Sequence, residues 1–173
     1  DSTFISSGAN YPCIISNYGK LECWGEQQEN STTDTFTQIS NGYNHGCGIK
    51  DDGNVECWGN NNYGQATPPT GSFVQISAGT NHTCAVNINQ DVECWGSNDY
   101  GETTSPSGSF STVSSGNWHT CGIKNDKTVE CWGASNNGQA TPPTGSFVQI
   151  SAGAYHTCAV NIDNNIECWG STN

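Results

Sequence analysis

The chain has no arginine and no methionine, and its only cationic side chains are Lys20, Lys50, Lys124 and Lys127, set against 16 acidic residues for a formal net charge of −12. A surface of that sign repels a phosphate backbone, so nucleic acid is not expected as a partner. No apolar run approaches the roughly 18 residues of a membrane-spanning helix, and no signal-type segment stands at the start, so membrane insertion is not expected. The missing methionine fits a processed chain with Asp1 as a mature N-terminus. Also absent are a Cys-x-x-Cys pair, a Gly-x-Ser-x-Gly elbow and a phosphate-binding glycine loop. Without them catalysis has no visible seat, and the sequence predicts a protein that is not an enzyme and carries no cofactor and no metal.

Cysteine, by contrast, is plentiful and ordered. Its ten copies form five pairs, Cys13 with Cys23, Cys47 with Cys57, Cys84 with Cys94, Cys121 with Cys131 and Cys158 with Cys168, each ten positions apart, with first members advancing by 34, 37, 37 and 37. A fixed period of this size marks a repeat architecture, with units at 1–34, 35–71, 72–108, 109–145 and 146–173 of a single repeat domain. Each second cysteine is framed as Glu-Cys-Trp-Gly, and four of the first are preceded two places earlier by His45, His82, His119 and His156; the first unit has Tyr11 there. Residues 65–79 and 139–153 are identical, and units two and three recur as units four and five, which indicates duplication of a two-unit block.

Within a unit the pattern is short alternation: Phe73-Val74 and Ile76, then Thr83-Cys84-Ala85-Val86, then Val92-Glu93-Cys94-Trp95. Periods near two in aromatic and β-branched residues predict strands. Polar tips such as Asp51-Asp52-Gly53-Asn54 supply the turns, so each cysteine pair spans a β-hairpin. Folded symmetrically, the hairpin sets its two cysteines opposite each other within reach of a disulfide. Such a cross-link adds about 2–3 kcal/mol in the chain-entropy model, and five of them imply an oxidising, extracellular setting for a secreted protein. A cluster such as His82, Cys84, Glu93 and Cys94 also has zinc-type ligands, but recurrence in nearly every unit and the tight hairpin spacing favour disulfides. The Gly/Pro/Asn/Thr-rich connectors, such as 60–71, admit one short outer strand at most.

The string Ser77-Ala78-Gly79…His82-Thr83-Cys84-Ala85-Val86…Val92-Glu93-Cys94-Trp95-Gly96, with Asn62, Gly64 and Gln65 from the neighbouring copy, resembles the repeat of the regulator of chromosome condensation family in a cysteine-bearing, secreted form. The resemblance covers almost the whole chain. It implies an all-β fold, a five-unit β-propeller of small antiparallel blades with three to four strands and one disulfide each. It says little about function, because one propeller scaffold hosts exchange factors, inhibitors, lectins and scaffolds.

Residues repeated in every unit read as structural: Glu22, Glu56, Glu93, Glu130 and Glu167 as acceptors for backbone or tryptophan N–H groups, and Trp24, Trp58, Trp95, Trp132 and Trp169 as packing between blades. Individual binding properties reside instead where the frame varies. Trp118 fills a loop slot held elsewhere by Asn10, Asn44, Asn81 and Tyr155, and with Tyr43 and Tyr155 it forms the candidate binding set. Asn30 and Asn81 head N-glycosylation sequons. The reading is a non-catalytic, extracellular, glycosylated module that binds a protein partner through variable loops. The alternatives are a building block of an extracellular filament assembled head-to-tail from copies of itself, and a lectin with glycans as ligands.

Overall fold

A computed structural model describes residues 4–8, 12–24 and 34–171. Among these residues there is no helix; fifteen strands form five separate three-stranded antiparallel sheets. Blade 1 contains β1 (Phe4–Ser7), β2 (Pro12–Ile15) and β3 (Leu21–Cys23), and blade 2 contains β4 (Phe36–Asn41), β5 (His45–Lys50) and β6 (Val55–Gly59). Blade 3 has β7 (Phe73–Ala78), β8 (His82–Asn87) and β9 (Val92–Gly96). Blade 4 has β10 (Phe110–Ser115), β11 (His119–Lys124) and β12 (Val129–Gly133), and blade 5 has β13 (Phe147–Ala152), β14 (His156–Asn161) and β15 (Ile166–Gly170). The described connectors are turns, so each blade has three strands and the fourth, outer strand that the sequence allowed is not formed.

The cysteines sit in register across the second and third strands of every blade. Cys13 is bonded to Cys23, Cys47 to Cys57, Cys84 to Cys94, Cys121 to Cys131 and Cys158 to Cys168, with Cα atoms 4.0–4.1 Å apart. Alternation then sends side chains to opposite faces of the sheet. In blade 3, Cys84, Val86 and Val92 point forward onto Phe110, Val113 and Trp132 of blade 4, while Phe73, Ile76, Ala85 and Trp95 point back onto Cys47 and Ile49 of blade 2, with Cys57 packed at the edge of that cluster. The core therefore lies between blades, with the disulfides of blades 1, 2 and 3 packed in the same clusters as the next blade's Phe/Trp pair.

Simple alternation cannot put Phe73 and Ile76 on one face. A register shift between Phe73 and Gln75 resolves this: Val74 bulges out, 59% exposed, and the strand regains phase for Ile76 and Ala78. The same shift recurs at the matching positions of blades 2, 4 and 5. Hairpin tips tie neighbours together as well. The carbonyls of Gly19, Gly53, Gln90 and Lys127, all at positive φ, accept the N–H of Phe36, Phe73, Phe110 and Phe147 in the following blade, at 2.8–2.9 Å.

First strands neighbour one another around a central funnel lined by the Ser-Gly, Asn-Gly and Ala-Gly loops of the five blades. Close approach there requires glycine: a Cβ on Gly79 would lie 2.5 Å from the Gly116 carbonyl oxygen and 2.5 Å from Cε1 of His82. Among the described residues the arc does not close. The forward face of blade 5 and the rear face of blade 1, where Ile5 and Trp24 are exposed, are covered by nothing among the described residues.

Candidate interaction face

Two polar ladders hold the blades in line. His45, His82 and His119 are fully buried, and each Nε2 lies 2.8 Å from the hydroxyl of the following blade's Thr83, Thr120 or Thr157. Thr83 and Thr157 donate their own hydroxyl protons to the carbonyls of Gln65 and Gln139. The imidazoles of His45 and His119 must then donate through Nε2, which leaves Nδ1 a bare, buried acceptor. Burial holds these rings neutral, with pKa values lowered to about 4 for His45, about 3 for His82 and about 4 for His119. In the second ladder, Gln38 and Gln75 side-chain oxygens accept from the N–H of Ile76 and Val113, and Ser6, Ser40, Ser77 and Ser114 hydroxyls accept from Asn41, Ala78, Ser115 and Ala152, all at 2.9 Å.

These contacts commit His45, His82 and His119 to threonine hydroxyls and all ten cysteines to disulfides. Cys84 and Cys94 are bonded to each other, and His82 is committed to Thr120. Trp58, Trp95, Trp132 and Trp169 pack between blades, whereas Trp24 is exposed, and the three N–H groups with a described partner pass over the glutamates. Trp95, Trp132 and Trp169 each donate, at 2.9 Å, to the backbone carbonyl of Gln65, Glu102 or Gln139 in the connector that leads into their own blade. Glu93 and Glu167 instead accept from Asn87 and Asn161, and Glu56 and Glu130 pair with Lys50 and Lys124.

The variable residues lie where the loop after each first strand meets the start of a connector. Main-chain bonds clamp the two together: Asn44, Asn81, Trp118 and Tyr155 carbonyls accept from Asn60, Ser97, Ala134 and Ser171 at 2.7–2.9 Å. On this face three rings form a continuous strip. Trp118 of blade 4 lies 5.4 Å, centroid to centroid, from Tyr155 of blade 5 and 6.1 Å from Tyr100 of the connector leaving blade 3, with interplanar angles of 52° and 53°. Tyr100 and Tyr155 are 54% and 43% exposed, and Trp118 between them is half-buried.

The structure thus brings Trp118 and Tyr155 together and keeps Tyr43 apart. Tyr43, two blades away on blade 2, lines the funnel mouth and donates its N–H to the Gly79 carbonyl at 3.3 Å. Asn81 is half-buried in its loop, and the Thr83 of its sequon is fully buried in the histidine ladder; Asn30 lies outside the described residues. Tyr100 is the residue that sequence reasoning missed. Its place is fixed by Glu102, a buried carboxylate that accepts the Tyr100 N–H at 2.7 Å and the Ser97 hydroxyl at 2.6 Å. Gln65 and Gln139 occupy the same buried slot in the other connectors, with side-chain oxygens accepting from Tyr63 and Asn137. The available signal was the recurring Asn/Asp-x-Gly-Gln/Glu pattern, which reads Asp99-Tyr100-Gly101-Glu102 here.

Comparisons with known proteins agree with this architecture. The Regulator of chromosome condensation (RCC1) repeat matches residues 36–65, 73–102, 110–139 and 147–173. No curated sequence matches this one. Among solved structures, the chain is similar to the ectodomain of the Physcomitrella patens receptor kinase CR4, at 25% identity and a TM-score of 0.84, covering 97% of this chain and 52% of that one. It is also similar to the CRINKLY WD40 ectodomain of the Arabidopsis thaliana receptor kinase ACR4, at 28% identity and 0.81, covering 96% and 62%. Prp20p of Saccharomyces cerevisiae, described with binding properties to Gsp1p and histones, shares the fold at 15% identity and 0.84, covering 96% and 57%. The chain spans between about half and three-fifths of the length of these structures. With four matched repeats covering more than half of its length, the chain belongs to the RCC1-repeat family, and its five disulfide-bonded sheets are blades of that family's β-propeller.

Proposed function

We propose that this protein is a non-catalytic, extracellular interaction module that grips a protein partner with the face bearing Tyr100, Trp118 and Tyr155. The observation that carries the reading is the aromatic strip, built from three consecutive segments at positions where the repeat varies. Large amphipathic rings held by main-chain clamps supply contact area at little entropic cost, which suits protein recognition. No lysine lies on these loops, and Asp99 sits beside Tyr100, so the partner surface is apolar with neutral or basic surroundings. Rings tilted by more than 50° offer no flat platform for a pyranose, which favours a protein over a glycan ligand. The five disulfides support an extracellular setting, as does similarity to two receptor-kinase ectodomains. In that setting Asn30 and Asn81 are the proposed glycan carriers. A lack of catalysis is supported by His45, His82 and His119 being tied into the ladder and by the absence of free cysteine among the described residues.

The test is cross-linking of the native protein and of Trp118→Ala and Tyr155→Ala variants in extracellular fluid of the source tissue, alongside a glycan array. The reading predicts one protein adduct that both variants lose at unchanged melting temperature. An adduct indifferent to both substitutions, or a defined glycan hit that Trp118→Ala abolishes, would replace it.

A further inference from the structure

The connectors that enter blades 3, 4 and 5 end in closely related strings, Thr67-Pro68-Pro69-Thr70-Gly71-Ser72, Thr104-Ser105-Pro106-Ser107-Gly108-Ser109 and Thr141-Pro142-Pro143-Thr144-Gly145-Ser146. Proline fixes its own φ and pushes the residue before it to extended values, so the backbone there takes polyproline-type geometry without internal bonds. The main-chain bonding agrees. Thr67, Thr104 and Thr141 donate their N–H groups to Gly64, Gly101 and Gly138, and after them no N–H of the string donates within the described protein until Phe73, Phe110 and Phe147. The far end of each string is fixed: the carbonyls of Ser72, Ser109 and Ser146 each accept an N–H from the neighbouring hairpin at 3.0 Å. Each string is therefore an extended, solvated ribbon clamped at both ends.

Hydroxyl groups on the ribbon fall into two kinds. Thr67 and Thr104 are held by the side-chain amides of Asn61 and Asn98, with Oγ1 2.9 and 3.2 Å from Nδ2 and 3.3 Å from Oδ1. Thr141 Oγ1 lies 3.2 Å from Ser135 Oγ, and Ser105 donates to the Val92 carbonyl at 2.9 Å. Thr70, Ser107 and Thr144, by contrast, are exposed, and their hydroxyls meet no hydrogen-bond partner among the described residues. Each of the three follows a half-buried proline and precedes a glycine, so no bulky side chain stands beside the oxygen.

We propose that Thr70 and Thr144, and more weakly Ser107, are acceptor sites for O-linked glycosylation, one per connector at a spacing of 37 residues. A transferase that reads its acceptor as an extended chain finds here a ribbon already in that form, and a hydroxyl that gives up no internal bond on entering the site. Serine and threonine set among prolines are also the composition that carries such sugars. Ser107 ranks lower because one proline, not two, stiffens the chain before it. The sugar comes from a nucleotide-sugar donor: the hydroxyl oxygen forms a bond to the anomeric carbon, the bond from that carbon to the diphosphate breaks, and the nucleoside diphosphate leaves with the electron pair. The hydroxyl proton passes to a base of the transferase. For its compartment this inference rests on the extracellular setting proposed above; it is independent of the aromatic strip.

The test uses the folded, oxidised chain in two arms. One is incubated with a polypeptide N-acetylgalactosaminyltransferase and UDP-N-acetylgalactosamine; the other is secreted from cultured animal cells and stripped of Asn-linked sugar. Sites are mapped in both by electron-transfer fragmentation, alongside a Thr70→Val/Thr144→Val variant and an Asn98→Ala variant. Occupancy of Thr70 and Thr144 should exceed that of Thr67 and Thr141 at least tenfold, with Ser107 between. The double valine variant should lose most of the transferred sugar at unchanged melting temperature, and Asn98→Ala, which frees the Thr104 hydroxyl, should raise transfer to Thr104 several-fold. Bare Thr70 and Thr144 in both arms would overturn the sites. Occupancy of Thr67 and Thr141 equal to theirs, or no gain at Thr104, would overturn the role of the free hydroxyl. Reduced cysteines in the chain taken from its natural source would overturn the extracellular setting and the modification with it, by a readout separate from occupancy.

Discussion

Strands β8 and β14 have the same six residues, His-Thr-Cys-Ala-Val-Asn, the same register to their partner strands and the same disulfide, yet they occupy different environments. In β8 both faces are sealed. In β14 only the rear face is: Thr157 and Ala159 are buried against blade 4, while His156 is exposed and Val160 half-exposed. The difference lies wholly in the neighbour, because a blade's forward face is buried by the next blade's Phe/Trp pair and by nothing of its own. In a repeat protein, stability is thus a property of junctions rather than of units.

The largest expected effect comes from acid, which attacks only completed junctions. Neutral, buried His45, His82 and His119 have pKa values of about 4, 3 and 4, below the ordinary 6.5 of the unfolded chain. Between those values the unfolded state binds more protons, so stability is complete above pH 6.5 and declines as pH falls towards 4. Each histidine contributes up to roughly 3 kcal/mol at about 1.4 kcal/mol per unit. Urea titrations from pH 7 to pH 4 should show the midpoint falling steadily; a flat profile would mean that the rings are not buried neutral.

A smaller and sharper contrast uses the identical Ser-Ala-Gly loops. A Cβ at Gly79 meets the Gly116 carbonyl, which cannot move aside, whereas a Cβ at Gly153 meets only the ring of exposed His156, at 2.9 Å. Gly79→Ala should cost about 3 kcal/mol and Gly153→Ala less than about 1 kcal/mol in chemical denaturation. Equal losses would break the comparison.

The smallest effect is kinetic. Cys84 is fully buried beneath blade 4, while Cys158 is partly open and Cys168 exposed. Attack by a thiolate depends on access, so limited reduction followed by alkylation and peptide mapping should label Cys158 and Cys168 first. Earlier labelling of Cys84 and Cys94 would contradict the packing described for blade 3.

Much of this was legible in the sequence. The ten-residue spacing dictated the hairpin register and disulfides, because strand pairing is local and symmetric about the tip. The bulge at Val74 was not legible, since alternation alone gives no reason to skip a residue until Phe73 and Ile76 are known to share a face. The tryptophan partners were missed because Trp95 and Gln65 stand 30 residues apart and meet only when a connector folds back over the blade it enters. Trp118 and Tyr155 stood out as departures from a repeated slot, whereas Tyr100 was hidden inside a segment that looked like a plain linker. Nothing in β14 itself distinguishes it from β8, because burial there depends on a neighbour rather than on the strand.

Modification of the four histidines by diethyl pyrocarbonate, mapped by peptide mass at neutral pH on the native oxidised chain, tests the central claim most directly. The structure predicts rapid labelling of His156 and protection of His45, His82 and His119, whose rings are sealed between blades. Comparable labelling of all four would contradict the junction account, and so would protection of His156 in a monomeric chain.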